Sequence, residues 1–240
     1  MDRFRVEVIA KTPCPQQVIY AAMHQDYTDI FVAEEKDAWP SEEKCGEVIV
    51  KRLLAGERGH YGPLEHCQIV LGCGYFPHSV MQQARTHRIG ISFDVQSYRY
   101  TSGKVLEVAE GKRDIEDAFY LRPVGNYSDR QGKKYYYSPE QRQQDLNWCL
   151  EAAKRYKIDI DNGMSEEHAR GKVPFDYRQH FVVSFTLRAL LHFLDLRFKK
   201  DAQLEIQKLC DLIWPHTQEW VPEIAKWYEQ TRLGKARLAP

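Results

Sequence analysis

Phe4, Val6 and Val8 alternate with charged neighbours, the period-two pattern of a half-buried strand. Pro13 to His24 then spaces its apolar residues like a short helix, and Asp26 to Pro40 reads as connecting structure. Ser41 is placed to cap a second helix running toward Leu54, with Gly56 able to take the left-handed conformation that ends it. Gly59-His60-Tyr61-Gly62-Pro63 forces a turn. Cys67 to Gly74 is apolar enough for a buried strand, and Pro77 suits the first turn of a helix predicted to reach about Arg88. On that helix His78, Gln82 and Arg85 stand at i, i+4 and i+7 and share a face.

The second half is less even. Gly103 to Tyr137 is charged, tyrosine-rich and weakly periodic, which predicts a long surface excursion or a contact between subunits. Ser138-Pro139-Glu140-Gln141 combines a serine cap, proline at the first position and a glutamine set for a capping box, so a helix to about Tyr156 follows. Ser165 starts a short helix through Ala169 and Arg170 that ends before Pro174, and His180 to Thr186 has the β-branched and aromatic content of a buried strand. From Leu187 to Arg197 the period is helical, with Leu187, Leu190, Leu191 and Leu194 on the packing side and Arg188, His192 and Asp195 on another face. Asp201 is the predicted cap of a helix to about Trp214, which Pro215 should break before a last helical stretch containing Trp220 and Trp227. No internal repeat is present. Strands and helices in this order predict an α+β fold, a mixed or antiparallel sheet with packed helices, and 240 residues at 43% apolar composition suffice for a single domain over 1–240.

Charge narrows the function. Lysine plus arginine number 34 against 34 aspartate plus glutamate, so no net field draws the chain to nucleic acid or to an anionic membrane. Anion recognition must therefore be local. No segment approaches the roughly 18 apolar residues of a membrane span, and Met1-Asp2-Arg3-Phe4-Arg5 lacks the apolar stretch of a secretion signal, so a cytoplasmic setting is expected. The six cysteines contain no Cys-x-x-Cys pair and read as buried reduced thiols. The tyrosines and lysines between Tyr127 and Tyr137 could stack on single-stranded RNA, giving the alternative of an RNA- or nucleotide-binding module without redox activity, which the zero net charge weakens.

Arg85 to Tyr100 gathers three arginines, a histidine and two serines among apolar residues. Guanidinium forks hold phosphate and serines fix smaller polar groups, so the segment reads as a nucleotide site. Arginines along one face are usually solvated or paired with acids, and the rest of the chain must decide. Two further stretches carry similar chemistry: His60-Tyr61-Gly62-Pro63-Leu64-Glu65-His66, and Leu187 through Arg197 followed by Ala202-Gln203-Leu204-Glu205-Ile206. Taken in order with Arg85-Thr86-His87-Arg88 and Ser97-Tyr98-Arg99-Tyr100, they resemble the motifs of the flavin-dependent thymidylate synthases. The chain departs from the usual form at Thr86, in a path from Arg88 to Ser97 one residue longer, and at Asp94 and Val95, where asparagine and glutamate are common.

The resemblance implies reductive methylation of dUMP to dTMP, with 5,10-methylenetetrahydrofolate as carbon donor, bound FAD as redox carrier, NADPH as electron source and subunits assembled as a homotetramer. It assigns phosphate binding to Arg85, Arg99 and Arg170, with Gln82, Gln83, Gln96, Ser97 and Arg197 completing the dUMP pocket. For FAD it implies His60, Gly62 through its backbone, Arg85, His87, Arg88, Thr186, Arg188 and His192. Arg197 is the catalytic candidate, because a cation over the N3 and carbonyl edge of uracil stabilises the anion that makes C5 nucleophilic. Ser97 is the second. As a nucleophile toward C6 it would need an adjacent base, so a hydrogen-bonding role is preferred. His60, Glu65 and His66 lack a convincing further ligand, and no metal is expected.

Overall fold

The computed structural model describes residues 3–56, 59–129 and 131–235. In chain order, β1 (Arg5–Lys11) leads to α1 (Pro15–His24) and α2 (Glu42–Ile49), then to β2 (Gln68–Pro77) and α3 (His78–Ala84). β3 (Ile91–Val95) precedes three short helices, α4 (Tyr98–Thr101), α5 (Gly103–Ala109) and α6 (Ile115–Ala118). A hairpin of β4 (Gly125–Ser128) and β5 (Lys134–Tyr137) comes before the long α7 (Pro139–Asp161) and the short α8 (Glu166–Ala169). Then follow β6 (Arg178–Thr186), α9 (Leu187–Arg197), α10 (Leu204–Trp220) and α11 (Pro222–Thr231).

The larger sheet has the order β1-β2-β6-β3. Its neighbours run antiparallel, since Thr12 N–H donates to Gln68 O at 2.9 Å, Leu187 N–H to Cys67 O at 3.2 Å and Thr186 N–H to Gly90 O at 2.9 Å. The hairpin is antiparallel too, with Gly125 opposite Tyr137. The α+β class is therefore as expected. The chain divides into two compact units, one of Met1–Phe4, Cys73–Arg85 and Asp94–Phe181, the other of Arg5–Gly72, Thr86–Phe93 and Val182–Pro240. β2, β3 and β6 contribute residues to both.

In the first unit, α5 and α7 bury Val105, Val108, Ala153 and Tyr156 in a core with Tyr98 and Phe119. The stretch from Gly103 is thus no surface excursion at its start. Its helical period is too short to show in the sequence, because α5 offers just seven residues before Gly111 turns the chain at φ +71°. The exposed part is the hairpin, where Tyr135 and Tyr136 face solvent. Ser138 and Gln141 form the expected capping box, and α7 runs on past Tyr156 to Asp161. Buried Arg178 lies over the adjoining rings of Phe4 and Tyr120 and donates to the carbonyls of Glu116 and Tyr75, both at 2.8 Å.

In the second unit, Ser41 caps α2 by accepting from Lys44 N–H at 3.2 Å, and a wide π turn carries the helix on through Leu54. The connecting segment before it includes a 3-10 helix, Val32–Ala38. Leu187, Leu190, Leu191 and Leu194 are all buried, as their spacing requires. Three expectations fail here, two of them because tertiary burial overrides a local rule. Asp195 is buried rather than on a polar face, paired with Arg232 at 2.6 Å and accepting from the Tyr228 hydroxyl at 2.8 Å. α10 starts after Gln203, not Asp201, and passes through Pro215 to Trp220. Burial of Ile213, Trp214, Thr217 and Trp220 on both sides of the proline outweighs the backbone bond its ring removes, and the break falls at Val221-Pro222.

At the join of the two units' sequences, β2 extends to Pro77, which caps α3 from outside, and α3 stops with Arg85 as its C-cap instead of reaching Arg88. The chain must turn there to enter β3, and Gly90 does so at φ +69°. All six cysteines are free, five of them buried and Cys14 exposed. Burial pushes the Cys67 thiol up to about 12. Among the described residues no helix is long and apolar enough to cross a membrane.

Candidate functional site

The second unit holds a pocket of about 700 Å³. Three segments build it: Thr86 to Ile91, the first turn and one face of α9, and Glu65. The 11-residue α9 is anchored at its start by Thr186, whose Oγ1 accepts from Ala189 N–H at 3.3 Å. Because Leu187, Leu190 and Leu194 face the core, Arg188, His192 and Arg197 are left to the pocket side. Gly90 lets the turn press against this helix start: a methyl there would lie 2.6 Å from Thr186 Oγ1 and 3.0 Å from Ala189 Cβ.

Charge in the pocket is arranged around Arg197. Its Nε donates to His87 Nε2 and its Nη2 to Thr86 Oγ1, each at 3.0 Å. Both acceptors are neutral, so these bonds aim the guanidinium without cancelling its charge. His87 is 8% exposed, and burial together with the charges of Arg197 and His192 pulls its pKa down to about 4. It is therefore the neutral imidazole, with the ring proton on Nδ1, that accepts from Arg197 at pH 7. Arg188 is paired with Glu65 at 2.6 Å. Arg88 and Ile89 are exposed on the rim, Ile89 at 88%.

In the first unit, two of the remaining arginines, Arg85 and Arg170, act on Tyr177. Burial pushes the Tyr177 phenol up, and the nearby charges of Arg170 and Arg85 pull it back, which places both cations within its field. Tyr177 stacks on His78, at 5.0 Å between ring centroids, and His78 in turn meets Gln82 at 3.2 Å. Arg99 reaches Glu167 of α8 at 2.7 Å, three residues before Arg170, and donates from Nε to Ser97 Oγ at 3.4 Å. Among the described residues no base accepts from Ser97 Oγ.

Sequence reasoning thus finds residues that the structure sorts into two sets. His87, Arg88, Thr186, Arg188, His192 and Arg197 line one pocket. Gln82, Gln83, Arg85, Gln96, Ser97, Arg99 and Arg170 belong to the other unit. Gln96 has structural work of its own, exchanging bonds with the His180 backbone: its Oε1 accepts from His180 N–H at 2.8 Å and its N–H donates to His180 O at 3.0 Å. His60 is exposed and Gly62 opens a 3-10 turn, Gly62–Glu65; neither lines the pocket, whereas Glu65 does. Thr86, Gly90 and Tyr177 were not singled out as site residues. The insertion of Thr86 between Arg85 and His87 was the available signal for the first, and a glycine just past an arginine-rich segment for the second.

The antiparallel α+β fold thus carries a basic, partly apolar pocket beside a capped helix start in one unit and Arg85, Arg99 and Arg170 in the other. The chain belongs to the family described as thymidylate synthase complementing protein, whose model matches residues 7–223. The flavin-dependent thymidylate synthase of Haloarcula marismortui is 31% identical over 251 residues, covering 98% of this chain and 99% of its own length. That of Halobacterium salinarum is 28% identical over 250 residues, covering 98% and 100%. Among solved structures, the UMP/dUMP methylase PolB of Streptomyces cacaoi bound with 5-Br dUMP superposes with a TM-score of 0.76 at 19% identity, covering 100% of this chain and 98% of that one. Thymidylate Synthase X of Helicobacter pylori with FAD and dUMP gives 0.68 at 17% identity, covering 92% and 98%. At those identities the structural likeness establishes the fold.

Proposed function

We propose that the chain catalyses reductive methylation of dUMP to dTMP, with FAD held in the pocket of the second unit, 5,10-methylenetetrahydrofolate as carbon donor and NADPH as electron source. One observation carries it: residues from separate motifs of this family, His87, Arg88, Thr186, Arg188, His192 and Arg197, meet on one cavity of about 700 Å³. The Helicobacter pylori relative of the same fold was solved with FAD and dUMP, which supports the same ligands here. The pocket fits the flavin cofactor chemically. Arg88, Arg188 and the start of α9 suit phosphate groups, and exposed Ile89 with Leu196 offers apolar surface to a flat ring. When bound, the flavin supplies hydride transfer.

The chain's own residues bind, orient and polarise. Arg197 stabilises negative charge that develops on the uracil ring as C5 becomes nucleophilic, and neutral His87 with Thr86 fixes its direction. Arg85, Arg99 and Arg170 hold the nucleotide phosphate, where each charge-assisted hydrogen bond contributes about 1.5 to 3 kcal/mol. Gln82, Gln83, Gln96 and Ser97 complete that pocket, Ser97 as a hydrogen-bonding group beside Arg99. From the turn before β2 it is Glu65 that reaches the pocket, while His60 and Gly62 lie outside its lining. In this proposal residues 1–240 form one domain, assembled as a cytoplasmic homotetramer. The test is anaerobic incubation with dUMP, methylenetetrahydrofolate, FAD and NADPH followed by detection of dTMP. Product that depends on FAD supports the assignment; no product with all four present overturns it. An RNA-binding module would take up no FAD.

A further inference from the structure

His78 opens α3, one turn before Gln82. Its ring is pinned on two sides, by Tyr177 stacked at 5.0 Å and 14° and by Phe175 edge-on at 5.2 Å and 86°. Nδ1 lies 3.1 Å from Gln179 Oε1 and 3.1 Å from the Tyr177 hydroxyl, and Nε2 lies 3.2 Å from Gln82 Nε2. An amide nitrogen only donates, so Nε2 of His78 is the acceptor. A ring that accepts at Nε2 carries its proton on Nδ1, where Gln179 Oε1 accepts it and the Tyr177 oxygen shares it. Gln179 is 1% exposed, and its own Nε2 has no partner among the described residues, so His78 is what the Gln179 amide bonds. Gln82 is exposed, and His78 is its side-chain partner among the described residues. One face of the Gln82 amide is thereby fixed as a donor turned inward, which leaves Oε1, an acceptor, turned out.

We propose that His78 is a positioning residue that sets the polarity of Gln82, so that the nucleotide meets an acceptor there and must supply a donor. The inference rests on Gln82 being a dUMP contact. Two groups of dUMP are donors: the ring N3–H, which cytosine replaces with a lone pair, and the sugar 3′-hydroxyl. Losing the ring nitrogens frees the Gln82 amide to flip, and the penalty for an unmatched donor or acceptor disappears with its fixed direction.

The experiment measures binding of dUMP, dCMP and 2′,3′-dideoxyuridine monophosphate to the FAD-loaded parent, to His78→Phe, which keeps a ring between Tyr177 and Phe175, to Gln82→Met and to the double variant. Gln179→Met removes the Nδ1 acceptor by a second route and is expected to act like His78→Phe. The expected result is that His78→Phe collapses the preference for dUMP over dCMP by about fivefold or more. Gln82→Met should do the same, and the double variant should add nothing. If the preference over the dideoxy nucleotide collapses instead, the donor is the sugar hydroxyl and the positioning role stands. Purely structural damage weakens all three ligands alike; unchanged ratios in His78→Phe and Gln179→Met overturn the inference. A parent that binds none of the nucleotides overturns the dUMP assignment and this inference together.

Discussion

Replacing Gly90 by alanine perturbs one point of the pocket with two separable effects. The backbone there has φ +69°, a conformation that costs an L-residue about 1 to 2 kcal/mol. The added methyl would also stand 2.6 Å from Thr186 Oγ1, so the hydroxyl must move and its bond to Ala189 N–H is lost. A broken helix cap costs about 0.5 to 2 kcal/mol. Together Gly90→Ala should lose about 3 kcal/mol, read as a shift in the urea midpoint at unchanged slope. Thr186→Ala alone removes the cap for about 1 kcal/mol and also removes the atom that the methyl strikes. The double variant should therefore be more stable than the sum of the singles by about 1 kcal/mol. Simple additivity, or a Gly90→Ala protein within about 0.5 kcal/mol of the parent, would refute the close approach of this turn to α9.

Other outcomes follow from the same contacts. Arg232→Met strands a buried Asp195 carboxylate, and loss of about 3 to 5 kcal/mol in urea unfolding is expected; a loss under about 1 kcal/mol would show that the pair carries no such weight. For His87, the folded value of about 4 lies below the ordinary 6.5, so the unfolded chain takes the proton first as pH falls. Its contribution is therefore whole above 6.5 and is lost toward 4, with about 2 kcal/mol gone at pH 5; His87→Gln should flatten that slope, and an identical slope in both proteins counts against a neutral buried imidazole. Arg197→Ala should cut dTMP turnover on the order of a hundredfold while FAD occupancy, followed by flavin absorbance, stays near the parent's. Equal losses of both would make Arg197 a cofactor ligand instead of a polarising cation.

Much of this molecule was legible from side-chain periodicity. The leucines of α9 repeat at helical spacing, and they are buried together because a helix has one inward stripe. The Ser138 capping box is purely local and was equally plain. What failed were rules that tertiary burial overrides. Pro215 lies inside α10 because the side chains around it are held by the core, and Asp195 is interior because Arg232, far along the chain, neutralises it. The short α5 left too few turns for a period to show. At the candidate site, motifs named the cations but not their partners. Nothing local says that Glu65 will meet Arg188, that His87 will be neutral against Arg197, or that His78 will join Gln82 to Gln179. Those pairings depend on residues roughly a hundred positions apart, which sequence spacing does not encode.

Of the six thiols, Cys14 alone lies open to solvent, at the left-handed residue that starts α1, while the other five are shut away in protonated form. A maleimide dye applied under native conditions therefore has one place to attach, without prior removal of the remaining cysteines. The natural chain comes ready for distance measurements by energy transfer, with Cys14 as the fixed end and a bound chromophore as the other.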